Sequence, residues 1–117
     1  MKKFVVIYRV PLEVMTKWRK ETSPEEMQRQ GKELGEKMNA WLEKNKLSIV
    51  DQGLPLGKNT RMTADKIEAV SNDLNAYITI QAESAEKVAE LFKDNPHWII
   101  PGSFLDIMEV PEWHIGK

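Results

Sequence analysis

The chain has 117 residues, 41% of them apolar and 30% charged, a size and balance that fit one soluble globular unit and exclude a disordered or fibrous chain. Seventeen Lys and Arg against eighteen Asp and Glu leave a formal charge of -1, so no global basic field recommends a nucleic acid or an anionic membrane as partner. There is no cysteine, which removes disulfides, thiol catalysis and thiolate metal sites together and, with a leading MKKFVVIYRV that lacks a cleavage site, points to a cytoplasmic protein.

In chain order, Phe4 to Val10 alternates Phe4, Val6, Tyr8 and Val10 on one face with Val5, Ile7 and Arg9 on the other, and predicts a first strand. Pro11 to Thr22 breaks that period. Leu12, Met15 and Trp18 there suit one or two turns of helix within a connecting segment. Ser23, Pro24 and Glu26 then spell a helix start, a capping box worth about 1 kcal/mol. Met27, Gly31, Leu34, Met38, Trp41 and Leu42 form one stripe of this helix, which is expected to lie on a sheet. Gly31 costs about 1 kcal/mol against alanine in mid-helix, so its place in the stripe predicts a close approach of helix backbone to a strand.

Leu47 to Gln52 reads as a second strand, ended by Gly53 and Pro55. Between Lys58 and Asp73, the pieces Arg61 to Thr63 and Ile67 to Val70 suggest an irregular hairpin or long loop. Asn75 to Ala82 alternates Ala76, Ile78 and Ile80 with Tyr77, Thr79 and Gln81, a third main strand. Ser84 caps a second helix with Ala85, Val88, Ala89 and Phe92 on one face, stopped by Asn95 and Pro96. Phe104 to Val110 is the last main strand.

Strand, helix, strand, strand, helix, strand is the ferredoxin-like βαββαβ order, an α+β fold with both helices on one face of an antiparallel sheet. The first strand is apolar on both faces, yet two helices cover only one. Each large apolar side chain left in water forfeits about 1.5 to 3 kcal/mol, so a second copy of the same sheet is expected over the open face, in a two-fold homodimer. Residues 1–117 are read as a single unit, with 113–117 as a tail. In that tail Trp113, His114 and Ile115 either reach across as an arm or fold back.

The stretches MKKFVVIYR, DQGLPLG, AESAEKVAELFKDNPH and GSFLDIMEV resemble the YCII-related family of dimeric α/β barrels. The likeness runs from about Lys3 to Val110. It implies a ferredoxin-like homodimer with a cleft in each subunit, in a family where most members have no assigned activity and some are proposed enzymes. One branch of that family carries a histidine on the first helix that pairs with an aspartate, and the helix from Pro24 here has none. Another is named for Asp-Gly-Pro-Phe before the third strand, where this chain has VSNDLNAY.

Candidate site residues follow from chemistry. His97 lies just past a helix end, where an imidazole either bonds the last carbonyls or exchanges protons as general acid or base. Asp51, placed on the strand face of Leu47 and Ile49, is the carboxylate best placed to orient it, or else a turn residue. Tyr8 and Arg9 end the first strand on opposite faces. Arg9 holds either a ligand carboxylate or phosphate or a rim ion pair. Trp18 either covers the cleft as part of a lid or packs in the core. Asp106 is a pocket acid or an edge-strand charge. No metal is expected from two histidines without cysteine, no Gly-x-Ser-x-Gly nucleophile is present, and GLPLG is neither a dinucleotide nor a phosphate loop. KWRK lacks the strand aromatics of ferredoxin-like RNA binders. Two functions remain: a cofactor-independent acid/base enzyme acting on a small molecule, or a non-catalytic module that binds a small ligand or another protein.

Overall fold

A computed structural model describes residues 1–112. The arm or fold-back read for Trp113, His114 and Ile115 lies outside the described residues. The elements are β1 (Lys2–Arg9), α1 (Leu12–Glu21), α2 (Pro24–Lys44), β2 (Ile49–Asp51), β3 (Asn59–Met62), β4 (Ile67–Val70), β5 (Leu74–Ala82), α3 (Ala85–Leu91) and β6 (Phe104–Val110). Short 3-10 turns occupy Lys46–Ser48 and Pro96–Ile99.

The main sheet runs β2-β5-β1-β6 with every pair antiparallel. Each split unit thus encloses a strand of the other: β5 lies between β1 and β2, and β1 between β5 and β6. That is the ferredoxin-like order expected from the sequence. Phe4 and Val6 of β1 oppose Ile80 and Ile78 of β5, and all four are within 1% of full burial. Met38, Trp41 and Leu42 of α2, with Val88 of α3 and Phe92 just past its end, pack against them. Trp41 and Phe92 meet at a ring separation of 4.7 Å.

Four expectations change. The connecting segment is a full ten-residue helix, α1, and none of its residues is buried. The second strand keeps only three residues, because Lys46–Ser48 turn as a 3-10 helix and leave Leu47 87% exposed. The stripe of α2 lies on the sheet only in its last two turns, where Trp41 is the one buried residue of the helix. Gly31 approaches nothing, since a Cβ built there meets no atom within 4 Å. The amino-terminal half of α2 instead carries itself. Ser23 Oγ accepts from Glu26 N at 3.2 Å, and Glu26, Arg29, Glu33 and Lys37 link at i,i+3 and i,i+4 spacing, each pair adding about 0.2–0.5 kcal/mol.

The hairpin expected between Lys58 and Asp73 is present as a separate two-stranded sheet of β3 and β4. The face of the main sheet away from the helices carries Val5, Ile7, Tyr77 and Thr79, half-buried, and Met108 and Val110, exposed. No described helix is long and apolar enough to cross a membrane.

Candidate functional site

The polar groups of the molecule gather where β1 ends, on both faces of the sheet. Strand alternation sends Tyr8 toward the helices and Arg9 away from them, as the sequence predicts. An irregularity in the β1–β5 pairing falls between these two residues.

On the helix side Ser84 starts α3, and Asn95 opens the following 3-10 turn by accepting from His97 N at 2.9 Å. The Asn95 amide donates to the Tyr8 hydroxyl at 3.1 Å, and that hydroxyl points to Met38 Sδ at 3.9 Å. His97 Nε2 lies 3.0 Å from the carbonyl oxygen of Arg9. A carbonyl only accepts, so Nε2 carries the proton. The imidazole stands edge-on to the Tyr8 ring at 4.9 Å. Burial pushes the Tyr8 pKa up to about 12, against a small opposing pull from the Asn95 hydrogen bond. Burial likewise holds the His97 pKa below its usual value, although hydrogen bonding to the backbone of Arg9 and Phe104 works the other way. Both groups are therefore neutral at pH 7.

Beside this knot, α2 and the 94–99 turn border an open groove of about 460 Å³. Ala40, Trp41, Pro96 and Ile99 supply its apolar lining, Asn95 reaches its floor, and Lys37, Lys44 and Asp94 stand at its rim. Trp41 Nε1 donates to Leu91 O and Asp94 Oδ1, both at 3.2 Å, which fixes the indole. Lys44, hydrogen-bonded to Asp94, holds that carboxyl below the usual carboxylate range. A groove of this make-up suits a small molecule with an apolar body and a polar or anionic end.

On the open side the Arg9 guanidinium gives Nε and Nη2 to Asp73 Oδ1, at 3.0 and 2.6 Å, and Nη1 to Asp106. It also lies 5.1 Å over the Phe104 ring. Asp106 faces Ile7 across the β1–β6 pair and pairs with Arg9 on the border strand of the sheet, where the edge-strand reading had it as a charge.

Asp51 and His97 are not brought together within the chain. A register shift between Ile49 and Asp51 places Asp51 opposite Thr79, on the open face, instead of on the face of Ile49 and Ile80. Its Oδ1 accepts from Gly53 N at 2.8 Å, the turn role already weighed for it. Gly53 takes a φ of 68° under the Tyr77 carbonyl, where any Cβ would collide at 1.6 Å. Trp18 donates to Gln30 Oε1 at 2.7 Å. Gln30 precedes Met38 by eight residues, roughly 12 Å along the helix, so Trp18 joins α1 to α2 and does not line the groove. Asn95, Trp41, Asp94 and Asp73 were not singled out in the sequence as site residues. Among the described residues no group of three or more His, Cys, Asp or Glu is arranged to hold a metal ion.

No protein-family model matches the sequence, and no curated protein matches it. Among solved structures, the chain is similar to 5-chloro-2-hydroxyhydroquinone dehydrochlorinase (TftG) from Burkholderia phenoliruptrix AC1100, in its complex with 2,5-dihydroxybenzoquinone. The two align over 89% of this chain and 90% of that one, with a TM-score of 0.47 and 16% identity. Nothing about chemistry passes from that likeness to this chain.

Proposed function

We propose that this chain is a YCII-like homodimer of the dimeric α/β barrel kind, in which two copies set their open sheet faces together and each holds a small organic molecule in the groove beside Asn95. The observation that supports the reading is the open face itself, where Val5, Ile7, Tyr77, Phe104, Met108 and Val110 stand together without cover from either helix. Met108 is 48% and Val110 43% exposed. Contiguous apolar surface of this kind marks an interaction site in a soluble protein. Sedimentation equilibrium tests it: the expected result is a dimer at micromolar concentration, and a monomer with unchanged far-UV circular dichroism for Val5→Lys. A wild-type protein that stays monomeric overturns the reading.

A cofactor-independent acid/base enzyme is the second reading, favoured by the two titratable groups, Tyr8 and His97, that stand directly behind Asn95 and the groove. In this role His97 moves the proton and leaves the Arg9 carbonyl to do so, with the Tyr8 ring beside it, since Asp51 lies on the other face of the sheet. An NMR titration of His97 in wild type and Tyr8→Phe decides between the two readings. A substantial change on mutation supports the enzyme, and indifference supports the binding module.

A further inference from the structure

The hairpin of β3 and β4 is built inside out. Its register pairs Met62 with Ile67 and Thr60 with Ala69, so these four side chains share one face. All four are exposed, Met62 at 75% and Ile67 at 68%. The other face carries Asn59, Arg61, Glu68 and Val70, and all of these but the exposed Arg61 are half-buried. The turn at its tip is well made, with Thr63 N donating to Lys66 O at 2.8 Å and Thr63 Oγ1 accepting from Lys66 N at 3.2 Å. An isolated two-stranded hairpin is marginal in water, and this one turns its apolar side toward solvent.

Two further observations say what covers that side. The hairpin springs from the margin of the open sheet face. Leu56 N donates to Asn75 O at 2.9 Å, and Leu74, opposite Arg9 in the β1–β5 register, is 39% exposed. Leu54, Leu56 and Leu74 at the root are exposed, as are Met62 and Ile67 at the tip. The sheet face is also modest. With three residues in β2, nine in β5, eight in β1 and seven in β6, strands about 4.8 Å apart rising about 3.3 Å per residue give a flat footprint on the order of 400 Å². A specific interface takes roughly 800 Å² of accessible surface from each partner, so contact beyond the sheet strengthens such a pairing.

We infer that the β3–β4 hairpin is an intersubunit arm, which lays its Thr60, Met62, Ile67 and Ala69 face on a second copy of this chain. The inference rests on the homodimer proposed above. Two-fold symmetry makes the contact reciprocal: each copy gives one arm and receives one, and the arms add their area to that of the sheets.

Because the chain has no cysteine, Ile67→Cys provides a single thiol on the arm. Its reaction with a maleimide should be at least about tenfold slower in the dimer than after dilution to monomer, and Met62→Asp should weaken the dimer by about tenfold or more. Met62→Asp should keep wild-type circular dichroism, since Met62 lies outside the core. A thiol in an intact dimer that reacts as fast as in urea overturns the arm and leaves the sheet-to-sheet dimer standing. A Met62→Asp dimer of wild-type affinity does the same. A wild-type chain that is monomeric at every concentration overturns both.

Discussion

His97 is held by Tyr8 and by the backbone of Arg9 and Phe104, and burial keeps its folded pKa below the ordinary value. The unfolded imidazole takes up its proton near pH 6.5, whereas the folded one does so only at lower pH. Between those values the unfolded chain binds more protons, so stability falls as the pH drops through that window. Urea unfolding followed from pH 7.5 to about 5 should show this loss in wild type. His97→Gln should remove that part of the slope, whatever it does to stability at pH 7.5. Strand alternation made it legible in the sequence that Tyr8 and Arg9 leave β1 on opposite faces. The helix-end reading of His97 named the right kind of contact, backbone carbonyl to imidazole, but not the carbonyl, which belongs to Arg9. Asp51 was misplaced because a one-residue register shift reverses the face of every later side chain, and no local pattern announced it. Asn95 was legible only as a helix stop. Its amide meets Tyr8 across 87 residues of sequence, and such a pairing exists only once the chain has folded.

The helices separate what periodicity reveals from what it hides. The cap at Ser23 and the apolar stripe from Met27 to Leu42 were both evident, because capping and the 3.6-residue period are local. How much of the stripe finds a partner is not local. The first four turns of α2 extend past the core, with Arg29 and Lys37 bridging acidic neighbours and Trp18 tying in α1 through Gln30. A glycine in such a stretch is a liability without a packing reason. Gly31→Ala, whose methyl meets nothing within 4 Å, should therefore stabilise the helix by up to about 1 kcal/mol. Hydrogen exchange should show slower amides around residues 28–35, and thermal unfolding should rise or stay level. A destabilised variant would mean that the face of Gly31 is occupied in the assembled protein. For α1, the short apolar spacing of Leu12, Met15 and Trp18 suggested only a turn or two, and the chain continues to Glu21 with charged residues that favour helix but bury nothing.

At the scale of the molecule, the described chain is a slab with extents of 50 × 45 × 19 Å. Its radius of gyration is 16.3 Å, against about 13 Å for a compact domain of around 100 residues. One sheet with helices on a single side accounts for the thinness, while the α1–α2 projection and the β3–β4 arm account for the spread. Surface apolar on such a scale links folding to association. The melting temperature of a dimer that shares its stability across the contact rises with protein concentration. Calorimetry over a hundredfold range of concentration should show that rise in wild type and lose it in Val5→Lys. The fold order was legible throughout, because strand and helix periods are local and their succession admits few topologies. The surplus of apolar residues on β1 was legible too, and it is what the proposed second copy conceals.

Pairing by faces leaves the two borders of the sheet untouched. On one side β2 stops after three residues and yields to a chain carrying Pro55, a poor template for another strand. On the other, the seven residues of β6 have no neighbour along their outer rim among the described residues, and that rim is guarded by the charges of Asp106 and Glu109 and ends at Pro111. These carboxylates thus double as wardens against fibre growth. Replace both by neutral residues, as in Asp106→Asn with Glu109→Gln, and that rim becomes the place from which cross-β stacking would start.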